Sequence, residues 1–187
     1  EVNSIYSNKF GSAGLFVTDS QKKLYMLTNY HVVAEQMIAN HQYYYRRPVS
    51  QNKNDVKIII SNTNILQGRF ETGIISHEID AAFVELFMPP DTGMNVLPDK
   101  NKVKGRVSVR PYPPSFIGKS LIVYSYHSPM GADGKINDNS SVLYTNNPDI
   151  FFEDLLQIAP RITQGGDSGS LVVTPSFAVL GLIVGAD

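Results

Sequence analysis

The sequence has no cysteine among its 187 residues, no apolar run long enough to cross a membrane, and no real excess of either charge. Each absence removes a class of answers. Without cysteine there is no disulfide framework and no thiolate nucleophile, which fits a reducing compartment and leans toward a cytoplasmic setting. Lys and Arg total 16 against 17 Asp and Glu, a net charge of −1, whereas proteins that bind nucleic acid or anionic membranes usually carry a strong basic excess. Neither partner is expected. The one basic run, Lys100, Lys102, Lys104, Arg106 and Arg110, alternates with Val103, Val107 and Val109 and reads as a solvated strand or linker face. No apolar stretch approaches the roughly 18 residues of a membrane span, and the opening EVNSIYSNKF lacks the apolar segment of a secretory signal. A start at Glu1 instead of Met suggests a processed form, or part of a larger regulated protein. The His, Asp and Glu spacings form no convincing ligand set, so neither metal nor other cofactor is expected.

What is present is a succession of short apolar runs rich in β-branched and aromatic residues. They cover residues 13–18, 23–28, 56–61, 81–87, 119–126, 141–145, 150–159, 170–174 and 178–185, and Gly, Pro, Asn, Asp and Ser clusters separate them. That pattern predicts an all-β barrel or sandwich. Short helices are expected only at 31–40 (HVVAEQMIAN) and at 154–158. Six of the 11 prolines, Pro89, Pro90, Pro98, Pro111, Pro113 and Pro114, fall between 88 and 118. Proline cannot donate to a sheet ladder, so residues 89–117 read as a connector between two β-rich halves, 1–88 and 118–187.

The stretch RITQGGDSGSLVV, residues 161–173, concentrates Gly165, Gly166 and Gly169 around Asp167 and Ser168 directly ahead of an apolar strand. This is more backbone freedom than a simple reversal requires. A serine hydroxyl becomes a nucleophile when a base takes its proton, and the oxyanion formed on the attacked carbonyl needs fixed donors. Glycines beside Ser168 let the N–H groups of Gly166 and Ser168 converge on one point without a side chain in the way.

That reading calls for a base and an orienting acid. Of the four histidines, His31 in YMLTNYHVVAEQ lies where a β run gives way to a short helix, a rigid mount. His41, ahead of YYYRR, reads as surface loop and His77 as a turn residue, while His127 in YSYHSPMG follows a strand and could line a cleft. For the acid, HEIDAAFVELF puts Asp80 at the mouth of an apolar strand, where a charge needs a partner; Glu78 lies further out and reads as solvated.

The order His31, Asp80, Ser168 is that of the chymotrypsin-type triad. LTNYHVV resembles the Thr-Ala-Ala-His corner of the chymotrypsin-like serine peptidases, IDAAFVEL their Asp-x-Ala strand, QGGDSGSLV their Gly-Asp-Ser-Gly loop, and FGSAGLFVTD the opening strand of many bacterial members. The resemblance spans nearly the whole chain. It implies two six-stranded antiparallel β-barrels with the active site in the cleft between them. Ser168 is then the nucleophile, His31 the general base and acid, Asp80 the group that orients the imidazole, and Gly166 and Ser168 the oxyanion donors.

By the same resemblance Ile162 and Thr163 form the base of the primary specificity pocket and Ile183, Val184 and Gly185 its wall and substrate-pairing strand. None is charged, which favours an apolar or small P1 side chain. Ser170 replaces a third glycine, and Asn29 and bulky Tyr30 replace small residues before His31. The chain also lacks an Ile-Val-Gly-Gly start, so Asp167 is expected to pair with an internal Arg or Lys or with backbone donors. After GLIVGAD the family has a further strand and a terminal helix, so the second barrel is expected to be truncated. The implied activity is a serine endopeptidase acting on protein or peptide substrates, with esterase chemistry available to the same machinery. The rival readings are a catalytically silent binding module on the same fold and an ordinary β-rich module in which GGDSG is only a turn.

Overall fold

Alternating burial decides where the strands lie. In Leu24–Thr28 the side chains of Leu24, Met26 and Thr28 are buried while Tyr25 and Leu27 are half-buried, the period of two that a sheet with one face on a core requires. The computed structural model describes residues 1–88, 95–107, 112–147 and 149–185. Pro89, Pro90 and Pro111 of the expected connector, and Val109 and Arg110 of the basic run, lie outside the described residues.

The first sheet contains β1 (Val2–Ser4), β2 (Phe10–Gly11), β3 (Leu15–Thr18), β4 (Leu24–Thr28), β5 (Tyr44–Arg46), β6 (Val56–Ser61), β7 (Asn64–Ile75) and β8 (Asp80–Leu86), with helix α1 (Tyr30–Ala39) between β4 and β5. Its order is β2-β1-β6-β7-β8-β4-β3, with β5 also on β7. The two ends of that order, β2 and β3, are successive pieces of one segment, so the sheet closes on itself. The second sheet contains β9 (Ser120–Tyr124), β10 (Ala132–Tyr144), β11 (Phe151–Ala159), β12 (Leu171–Val173) and β13 (Val179–Leu182) in the order β11-β10-β9-β12-β13.

The all-β, two-barrel architecture therefore holds, with eight and five strands among the described residues instead of six and six. The first count is higher partly because the chain leaves the ladder between β2 and β3, where Ser12 N–H donates to Ser168 O at 2.8 Å. The expected helix at 154–158 is instead part of β11. There Leu155, Gln157 and Ile158 pair with Ser141, Asp138 and Ile136 of β10, and register shifts along the ladder absorb the irregular alternation.

Val2, Met26, Tyr30, Val56, Ile58, Phe70 and Val84 fill the first core. Leu121, Val123, Ile136, Val172, Leu180 and Ile183 fill the second. The β10–β11 hairpin reaches across: Leu143, Ile150 and Phe152 pack into the first core, and Glu153 N–H donates to His77 O at 2.9 Å. Shared apolar packing at this hairpin holds the sheets against each other.

Candidate active site

The corner that carries His31 is built from inside the first barrel. Tyr30 is fully buried, sits edge-on to Phe70 at 5.8 Å, and donates its hydroxyl to Gln42 O at 2.9 Å. A β-carbon on Gly73 would lie 2.5 Å from the Tyr30 ring, so that glycine is what admits the ring. The bulky residue before His31 thus anchors the helix start instead of crowding the cleft. Asn29, also fully buried, donates its side-chain amide to Asp80 O at 2.8 Å and ties the corner to the first residue of β8.

Asp80 spends both carboxylate oxygens on this corner. Its Oδ1 accepts the backbone N–H groups of Tyr30 (2.6 Å) and His31 (3.2 Å), and its Oδ2 bonds His31 Nδ1. The Asp80 side chain is fully buried while that of His31 is 28% exposed, so the imidazole turns its other edge outward. A carboxylate only accepts hydrogen bonds, so it holds the proton on Nδ1 and leaves Nε2 as the free ring nitrogen.

Ser168 stands on a loop pressed against the same corner. A β-carbon on Gly169, at φ +88°, would lie 2.3 Å from Thr28 Oγ1 and 2.4 Å from Ser12 O, so only glycine lets the two halves approach this closely. The Ser168 hydroxyl donates to Val184 O at 3.2 Å, and among the described residues no hydrogen bond joins it to His31. The N–H groups of Gly166 and Ser168 likewise have no protein acceptor among the described residues, while Gly169 N–H goes to Ile183 O and Ser170 N–H to Asp167 O. The two N–H groups lie on either side of Asp167 in the chain.

Two side chains that the motifs do not single out hold this loop. Ser12 Oγ donates to Gly166 O at 3.1 Å and accepts Tyr126 N–H at 3.1 Å, while its own N–H holds Ser168 O. His127 Nδ1 bonds Asp167 Oδ1 at 2.9 Å, and Asp167 Oδ2 accepts Gln164 N–H at 3.0 Å. Asp167 thus takes a backbone donor, as expected, but its side-chain partner is a histidine instead of an arginine or lysine. The signal available in sequence was the need of Asp167 for a partner; the choice of His127 depends on the turn that follows β9.

Ile162, Thr163, Ile183, Val184 and Gly185 all line one cavity of about 810 Å³, which Asn29 and Asp80 of the first barrel also line. Ile183 is also a core residue. Both of its backbone groups are used by Gly169 and Ser170, so within the expected substrate strand the carbonyl of Val184 is the group that faces Ser168. Glu78, Asp138, Asp154 and Arg161 line the cavity as well, charged groups that the motif-based reading of the pocket omits. Asp138 is engaged by Ser140 and Ser141, and those bonds, the Ser140 N–H first, hold its carboxyl below the usual range.

The remaining histidines lie outside this arrangement. His41 bonds Tyr43 Oη, and the His77 ring packs on Phe151 at 3.9 Å.

Among solved structures, Nocardiopsis protease (NAPase) superposes with a TM-score of 0.58, covering 93% of this chain and 81% of that one at 16% identity. The chain has the chymotrypsin-like peptidase fold. The alpha-lytic protease homolog N4 gives 0.55 over 99% and 82% of the two chains at 13% identity, and Deg5 gives 0.53 over 98% and 77% at 12% identity. No protein-family model and no curated protein matches the sequence. The His31 corner and the Ser168 loop pack against each other, and the large cavity beside them is lined by Asn29, Asp80, Ile183, Val184 and Gly185 but by neither His31 nor Ser168.

Proposed function

We propose that this chain is a serine endopeptidase working through Ser168, His31 and Asp80. The observation that carries the reading is the Asp80 carboxylate, buried and shared between His31 Nδ1 and the two backbone N–H groups of its corner. These bonds offset the burial of the carboxylate, and the one to Nδ1 fixes the imidazole in one tautomer and one orientation. The protease neighbours of this fold support the same reading.

In the proposed reaction the Ser168 hydroxyl swings from Val184 O toward His31. Its oxygen bonds to the scissile carbonyl carbon as its proton passes to Nε2, and the carbonyl oxygen takes the N–H groups of Gly166 and Ser168. The imidazolium, stabilised by Asp80, returns the proton to the leaving amine, and water then releases the acyl group by the same steps. Departure of Ser168 also frees Val184 O to accept a backbone N–H from an extended substrate, the added-strand mode of peptide binding. Ile162, Thr163, Ile183, Val184 and Gly185 are uncharged, which favours an apolar or small P1 residue, while the charged Glu78, Asp138, Asp154 and Arg161 line other parts of the same cavity. Protein or peptide chains are the substrates, and no cofactor takes part in these steps.

The resting bond from Ser168 to Val184 favours one alternative, a silent binding module on the same fold. Intact mass after fluorophosphonate treatment separates the two. A single adduct on the wild type, missing from Ser168→Ala and much slower in His31→Ala, is the expected result. A folded wild type that takes no adduct would overturn the peptidase reading in favour of the binding module.

A further inference from the structure

We propose that the second barrel carries a binding site for a small carboxylate with an apolar tail, at the end of β9 and β12 that lies away from the Ser168 loop. The site is separate from the proposed catalysis and does not depend on it.

β12 leaves the Ser168 loop at Leu171 and pairs antiparallel with β9, Leu171 opposite Tyr124 and Val173 opposite Ile122. The start of β9 and the turn after β12 therefore meet at the far end of this ladder, and two tight turns wall a pocket there. In one, a short 3₁₀ turn at Pro114–Phe116 leads to Gly118, at φ +82°. Gly118 N–H donates to Ile136 O at 2.7 Å, and Ile136 N–H returns to Lys119 O at 3.0 Å. In the other, Phe177 N–H donates to Thr174 O at 2.8 Å and Thr174 N–H to Ala178 O at 2.9 Å, while Ala178 N–H reaches Thr174 Oγ1 at 3.1 Å. With these groups bonded to one another, the walls need no ligand to hold their shape.

The pocket between the turns has a volume of about 340 Å³, within the range of small-molecule sites. Its lining is mainly apolar, from Phe116, Pro175, Ile136 and Leu180, the last two being residues of the second core. No Asp or Glu lines it. Exposed Lys119 does, with its Nζ 4.5 Å from the centre of the Phe116 ring, and Lys135 stands opposite Ser120 in the β9–β10 ladder. Among the described residues the lysines in ion pairs are Lys9 and Lys23, so Lys119 and Lys135 are uncommitted. An apolar lining favours a hydrocarbon tail, and the Lys119 ammonium favours a negative head beside it, to which the Ser120 hydroxyl can also donate. One lysine on the lining matches a singly charged head. Leu180 also lines the large cavity and is the one described residue that the two spaces share. A tail seated in the pocket therefore touches the wall of the proposed substrate cavity.

The test titrates the wild-type chain with butanoate, hexanoate and octanoate, followed by calorimetry and by nitrogen-15 amide shifts. The expected result is saturable binding at one site, tightened about fourfold by each methylene that enters the pocket, with shifts centred on residues 116–120 and 174–180. Hexan-1-ol should bind more weakly than hexanoate. Lys119→Met keeps an apolar stem and drops the charge; it should weaken hexanoate by about two- to fivefold and leave hexan-1-ol nearly unchanged. Ser120→Phe, which adds a ring to the lining, should remove binding. Failure of octanoate to saturate the wild type, or shifts centred elsewhere, would overturn the proposal. Equal affinities for hexanoate and hexan-1-ol would overturn the carboxylate as its ligand. Should Ser120→Phe not fold, Lys119→Met at its exposed position decides, and an unchanged affinity for hexanoate there counts against the site. Fluorophosphonate labelling is read separately, so failure of the peptidase reading and failure of this one are distinguishable.

Discussion

His31 and Ser168 are delivered to the cleft by different kinds of construction. The histidine is mounted from within a closed barrel: Tyr30 is sunk in the core beside Phe70, and one buried carboxylate receives the side chain and two backbone N–H groups of the corner. The serine rides on a glycine-rich loop held by polar contacts from Ser12 and His127. The first arrangement is complete before any substrate arrives. In the second the hydroxyl rests on Val184, and the proposed reaction requires it to turn toward His31. If the proposed roles hold, the contrast predicts where each half is vulnerable, the proposed base to loss of one charge and the proposed nucleophile to small changes of shape.

The largest expected effect tests the base. Asp80→Asn can keep an oxygen for the Tyr30 and His31 N–H groups, but it then turns an amide N–H toward His31 Nδ1 and imposes the wrong tautomer. Acylation by peptide ester or fluorophosphonate should fall by about 10⁴-fold, while the melting temperature moves little. A loss below tenfold would mean that the corner does not depend on Asp80 for orientation.

Shape should dominate on the other side. Gly169→Ala forces a side chain onto φ +88° and into Thr28 Oγ1 and Ser12 O, which should cost about 3–5 kcal/mol from strain and overpacking together. Gly165→Ala in the same loop meets nothing within 4 Å and should stay within about 0.5 kcal/mol of wild type. Urea midpoints of the pair measure both. Similar midpoints would remove the idea that close approach, and not loop flexibility, places the glycine at 169.

Ser12→Ala removes two side-chain hydrogen bonds, one donated to Gly166 O and one accepted from Tyr126 N–H. A loss of about 1–2 kcal/mol is expected, with labelling of Ser168 slowed more than the stability change alone explains. Equal slowing in a destabilised variant far from the loop would argue that Ser12 contributes only to general stability.

The same contrast explains what could be read from sequence. Each of His31, Asp80 and Ser168 lies inside a local pattern, a strand-to-helix junction, a charge at the mouth of an apolar run and a glycine cluster, and local patterns survive in a linear text. The strand β7 does not announce itself, because NILQGRFETGII mixes glycines and charges with its apolar positions; its pairing with β5, β6 and β8 is what makes it a strand. The helix expected at 154–158 fails for the same reason in reverse, since pairing with β10 overrides local preference. His127 reads in sequence only as a residue that could line a cleft, and the parts it and Ser12 play were hidden because their partners lie far along the chain; which hydroxyl or ring meets the Gly166–Asp167 turn is settled only once two barrels have closed on each other.

The smallest effect concerns the frame behind the nucleophile. Tyr124 pairs across from Leu171, just past the Ser168 loop, and donates its hydroxyl to Asp99 Oδ2 at 2.5 Å, tying the connector to the second sheet. That bond is the main reason the Asp99 carboxyl is held below its ordinary value of 3.8. A carboxyl lowered by the fold contributes stability that is complete above its ordinary range and is lost as pH falls through the lowered value. Melting temperatures of wild type and Asp99→Asn should therefore run parallel at neutral pH and converge below pH 3.8, as protonation of Asp99 weakens the wild type alone. Because Asp99 is only half-buried the convergence should be slight. A constant gap through the acid range would show that the tie holds equally well with a neutral partner, and that the frame on the nucleophile side does not depend on this charge.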